Sequence, residues 1–220
     1  MVSNLNNLLP YLSRPINLII IFSIVYVFSL PPFGVSIFYY ISFSIIFYNI
    51  LTNDNFLKKY IFYFFLFTQI ITLSWITQSF YSGGFGYLFL GIILVGVLSL
   101  FIAFLHYSAT ILILVTFKKK LLQIFLLPLG LSIVEILKEF IFGGFPWNPS
   151  AIIYYKNIWI LKSLPFLGVY GLGLVVHLIV GLIIYFLYCK NKVVTFSLSS
   201  VLVLSLIHIS EPTRPERIAY

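Results

Sequence analysis

The run "YLFLGIILVGVLSLFIAFLHYSATILILV" (residues 87–115) decides the fold, because it carries no charged residue from end to end. A helix needs about 20 predominantly apolar residues to cross a bilayer, and this run exceeds that. His106 inside it reads as a polar residue satisfied within a helix bundle rather than as a ligand. The remainder has the same character: 61% of the 220 residues are hydrophobic, 8% are charged, and mean hydropathy is +1.11. A soluble domain of this size needs a polar exterior that such a composition cannot supply. The expected fold is all-α, a polytopic membrane helix bundle.

Apolar runs broken by polar or Gly/Pro punctuation place about seven spans at residues 16–30, 35–51, 60–76, 87–115, 121–142 and 164–188, with a seventh starting near 193. The first two are short and turn at "PPFG", which reads as a helical hairpin. Loop charge sets orientation. With the N-terminus cytoplasmic, the cytoplasmic loops hold Arg14, Lys58, Lys59, Lys118, Lys119, Lys120, Lys190 and Lys192, and the opposite side holds only Lys156 and Lys162. The formal charge of +8 is thus scattered between spans, which argues against nucleic acid as a partner. The single cysteine, Cys189, excludes an internal disulfide and reads as a small apolar residue at a membrane edge.

From residue 204 the composition changes. "LSLIHISEPTRPERIAY" brings Pro and Arg into a chain whose basic residues are otherwise nearly all Lys, and it interrupts the seventh span. The string resembles the translation of a transposase-end sequencing adapter, so residues 204–220 are expected to be an artefact and carry no weight in the fold.

"SIVEILKEFIF" ends the fifth span and is the most informative helix. Its Glu135, Lys138 and Glu139 lie at i, i+3 and i+4, on one face and near one membrane interface. Charges inside a span face a bundle interior or a water-filled cavity. The trio reads either as a structurally self-satisfied Glu–Lys pair or as a site for a zwitterionic or anionic lipid headgroup. "GGFPWNPS" follows directly: Gly143 and Gly144 end the helix, Pro146 and Pro149 forbid its resumption, and Phe145 and Trp147 suit an interfacial aromatic belt. The other loop on that side, "LSWITQSFYSGGFGY", offers Trp75, Gln78 and Tyr81 with bendable glycines. No phosphate-binding loop, His/Cys metal cluster or Ser–His–Asp set is legible, His106 and His177 read as isolated, and no cofactor is expected.

The order of these features is familiar. "FSLPPFG", then "SW…SFYSGG", then "E..K" with "GFPW", then "LPFLGVYGLGLVV" resembles the N-terminal membrane domain of bacterial apolipoprotein N-acyltransferases, over about residues 16–203. The resemblance implies a multi-pass protein of the bacterial inner membrane. Its family moves an acyl chain from a phospholipid donor to the N-terminal diacylglyceryl-cysteine of an apolipoprotein acceptor. It implies a Glu–Lys–Cys triad working through a thioester, carried by a periplasmic nitrilase-like domain that is absent here. No catalytic residue is therefore expected in this chain, and the fragment is expected to be inactive. Trp75, Glu135, Gly144, Phe145, Pro146 and Trp147 match the family pattern as substrate- or lipid-binding candidates. Lys138 stands where many relatives carry Arg, keeping the cation without its bidentate geometry. The alternatives are a small transporter or channel lined by the charged trio, and a non-catalytic accessory membrane protein.

Overall fold

The computed structural model describes residues 15–53, 58–81, 83–145 and 147–189, and among these the chain is helical with no strand. Helix α1 (Pro15–Val27) and α2 (Ile37–Thr52) form the expected hairpin. Helix α3 (Lys58–Leu73) runs on through a 3-10 turn (Ser74–Ile76) into the short α4 (Thr77–Tyr81). The charge-free run forms α5 (Phe85–Thr116), and "FKKK" separates it from α6 (Lys120–Ile141). A connector containing a 3-10 turn (Ser150–Tyr154) and the four-residue α7 (Ile158–Leu161) leads to α8 (Leu164–Cys189), which kinks at Gly168.

Four of these segments are long and apolar enough to cross a membrane: Lys58–Tyr81, Phe85–Thr116, Lys120–Ile141 and Leu164–Cys189. The chain is a multi-pass membrane protein on that ground. Helices α1 and α2 are apolar but shorter. The 13 residues of α1 rise only about 20 Å, against roughly 30 Å of hydrocarbon. The seventh span expected near residue 193, Arg14, Lys190, Lys192 and the string from residue 204 lie outside the described residues.

The helices close into a ring. Helix α1 packs on α2 and α3, α3 on α5, α5 on α6, α6 on α8, and α8 back on α2. Their shared interior is rich in aromatic side chains, with Tyr39, Phe47, Phe64 and Phe65 fully enclosed alongside Ile19, Ile124 and Val176. Outward-facing positions remain large and apolar, most of all along α5, where Phe89, Ile92, Val97 and Phe104 are exposed. That inversion of the soluble pattern follows from a solvent as apolar as leucine. Polar side chains collect instead inside one end of the ring, beneath the connector between α6 and α8.

A buried polar cluster beneath the connector

The site is built on the last turns of α6. Ser132, Glu135 and Lys138 recur every three residues, and all three face inward: Glu135 is 6% exposed and Lys138 3%. Glu139 is rotated off this stripe and only half-buried, so the charged trio resolves into a buried pair and an edge residue. Opposite, α8 presents Gly173 and His177, one turn apart and both turned toward α6. A methyl group at residue 173 would sit 2.8 Å from Glu135 Oε2 and 2.9 Å from Ser150 Oγ. Only glycine lets α8 approach this closely.

Glu135 and Lys138 are satisfied by different partners. The Ser150 N–H donates to Glu135 Oε1 at 2.8 Å, and the Ser150 hydroxyl donates to Oε2 at 3.2 Å. His177 Nε2 lies 3.8 Å from Oε1, while its Nδ1 meets Ser132 Oγ at 2.8 Å. Lys138 Nζ donates to the carbonyl of Trp147 at 2.9 Å. Both charged side chains therefore hold the connector, one at Trp147 and one at Ser150. A buried carboxylate and ammonium each need such partners, because desolvation without them costs several kcal/mol per ion at roughly this depth.

The connector's path follows from its sequence. Helix α6 ends as the two glycines require: Gly143 and Gly144 take φ of 67° and 94°, and the Gly144 N–H donates to the Glu139 carbonyl at 2.8 Å. Asn148, at φ 43°, turns the chain inward, and its Nδ2 reaches the Thr72 carbonyl at the end of α3 (3.4 Å). Farther on, the Tyr154 and Tyr40 hydroxyls are hydrogen-bonded. Tyr155 Oη donates to Pro32 O, and Lys156 Nζ donates to Pro32 O and Phe33 O at 2.9 and 2.7 Å. The connector is thus a strap fastened to α6, α3, α2 and the α1–α2 turn. An open recess of about 380 Å³ lies at its far end, lined by Ser36, Tyr154, Lys156 and Trp159 among others.

The sequence-derived candidates separate into two groups. Glu135 and Lys138 are inside. Trp147 is half-buried, its ring packed on Phe142 and Phe145 beside Leu73, Val95 and Ile102, with Nε1 enclosed and without a partner among the described residues. Gly144 and Phe145 are at the surface, Phe145 half-exposed, and Trp75 is 55% exposed on the 3-10 turn after α3. Pro146 lies outside the described residues.

His177 is not isolated, contrary to the sequence reading. It completes a Ser132–His177–Glu135 contact line that no local spacing reveals, since Ser132 and His177 are 45 residues apart. The available signal was weak: a histidine one turn after a glycine, in a span able to face the charged helix. The line has the residue types of a hydrolytic triad but not its access. Ser132 is buried in mid-helix, its hydroxyl also reaches the Pro128 carbonyl (3.1 Å), and the adjoining cavity measures about 20 Å³, far below an acyl substrate. His106 is buried as expected, with Nδ1 2.9 Å from the Ile102 carbonyl and its ring stacked on Phe65.

Against known proteins, the family described as apolipoprotein N-acyltransferase N-terminal domain matches residues 22–182. That span runs from within α1 through α2 to α7 and into most of α8, and it takes in the whole strap. No curated protein matches the chain.

Proposed function

The chain belongs to the apolipoprotein N-acyltransferase N-terminal domain family, and from that premise we propose that it is the membrane domain of an enzyme that acylates lipoproteins. In this reading the acyl chain comes from a phospholipid and goes to the amino group of an N-terminal diacylglyceryl-cysteine, in the bacterial inner membrane. The strap end of the bundle faces the periplasm. The excess of Lys on loops at the opposite end supports that orientation. The Glu–Lys–Cys chemistry belongs to a nitrilase-like domain that works above the strap, and neither Glu135, Lys138 nor Cys189 substitutes for it. Cys189 sits at the far end of α8 from the strap, and Glu135 and Lys138 are sealed in.

The observation that carries the reading is the match over residues 22–182, which covers the strap and α6, whose Lys138 and Glu135 hold it. Within it, Glu135 and Lys138 act by fixing the strap, while Phe145 and Trp75 present exposed rings to lipid-anchored substrates. The direct test uses the intact gene in a strain depleted of its own acyltransferase. Trp147→Ala and Glu135→Gln are expected to insert normally and to lower acylation of a reporter lipoprotein. Full complementation by both would remove their proposed roles. Periplasmic reporter activity from a fusion in the strap, and none from one at residues 117–119, checks the orientation.

A further inference from the structure

We infer that the central cavity, enclosed by α1, α2, α3, α5, α6, α8 and the strap, is a hydration site, holding one water molecule against the Lys138 ammonium. Three observations lead there. An ammonium has three N–H donors. Lys138 is 3% exposed, and among the described residues only the Trp147 carbonyl accepts from it. His106 is the complementary case. Ile102 O can only accept, so His106 Nδ1 carries the proton and Nε2 keeps a lone pair, for which no described residue donates.

Both side chains line the same cavity, together with Glu135, His177, Gln69 and Asn148. Its volume of about 20 Å³ is room for about one water, which needs roughly 10–15 Å³ and two to four polar partners. Charge selects the occupant. The walls hold one ammonium and one carboxylate, so a metal ion would meet Lys138 and an anion would meet Glu135. A neutral molecule that both accepts and donates fits, and at this size that molecule is water. It accepts from Lys138 and donates to His106 Nε2 and to a Glu135 oxygen. The charged pair, which does not bridge directly, is thereby coupled, and α5 is tied to the strap's anchors.

The test is X-ray radiolytic hydroxyl-radical footprinting of the full 220-residue chain in lipid nanodiscs. Radicals form on ordered internal water and mark the side chains beside it. Phe64 and Phe65 provide an internal control: they are 0% and 1% exposed, and only Phe65 lines the cavity. The expected result is modification of Phe65 several-fold above Phe64, retained in Thr68→Val. In Thr68→Ile, which carries one methylene more than Thr68→Val at the cavity wall, Phe65 falls to the Phe64 level. Equal modification of Phe64 and Phe65 in the unaltered chain overturns the inference. So does a folded Thr68→Ile protein whose Phe65 is marked as strongly as before. If Thr68→Ile does not fold, the Phe64–Phe65 comparison decides alone.

Discussion

Two segments cap the same end of this bundle, and in sequence they look alike. Residues 74–86 and residues 142–157 each carry a tryptophan, a glycine pair and several aromatic residues. In space they differ. The first has no buried residue in its 3-10 turn or in α4, and it folds back on its own neighbour, Phe80 lying over Gly91 of α5. The second is fastened to four parts of the bundle, and two of its fastenings are charged side chains sealed beneath it. A buried carboxylate or ammonium accepts few geometries, because each lost partner leaves a desolvated charge. Composition therefore gave both segments the same surface chemistry, and the charges under one of them made it a platform.

The strap is most vulnerable at its buried carboxylate. Glu135→Ala removes the acceptor for both Ser150 donors and leaves Lys138 without a counter-charge, which is expected to cost about 3–5 kcal/mol. Denaturant titration in mild detergent measures the loss, and hydrogen exchange at the Ser150 amide, expected to be slow in the unaltered chain, should rise to the rates of residues 74–86. An unchanged exchange rate would mean that the carboxylate does not hold the strap. Gly173→Ala attacks the same contact from α8. Its methyl, 2.8 Å from Glu135 Oε2 and 2.9 Å from Ser150 Oγ, forces the strap or the helix to shift, at about 1–3 kcal/mol. If stability falls in this variant while the Ser150 amide stays protected, the helix has moved and the strap has not.

Much of the architecture was legible because the membrane imposes it. The apolar runs at residues 60–76, 87–115, 121–142 and 164–188 became helices within a few residues of where hydropathy placed them, since a lipid-exposed backbone has no other way to satisfy itself. The burial of Glu135 and Lys138 was legible too, from charges three apart inside a span. Their partners were not. Ser150 is 15 residues from Glu135, His177 is 45 from Ser132, and Gly173 matters only because two helices meet there. Each is an unremarkable residue until the ring closes. Trp147 shows the limit from the other side. An indole beside two glycines and two prolines shows no packing partner in sequence, yet with the turn at Asn148 and the grip of Lys138 on the Trp147 carbonyl its ring packs toward α5 and is half-buried. Phe145 is left at the surface in its place.

The smallest structural effect is expected at Trp75, and it sharpens the contrast between the two segments. The ring is 55% exposed and its turn buries nothing, so Trp75→Ala should change stability by no more than about 0.5 kcal/mol. On the proposed function, in which the exposed ring meets lipid-anchored substrate, the same change in the intact enzyme is expected to lower acylation of a reporter lipoprotein. The pair of readouts separates the segments by mechanism. A variant of the strap's seat such as Gly173→Ala is expected to lose stability and activity together, because on the proposed function activity depends on where the platform sits. A Trp75 variant loses activity alone. Should Trp75→Ala melt like Gly173→Ala, residues 74–86 would be bound into the bundle by contacts that burial does not reveal, and the division into a fastened and an unfastened segment would fail.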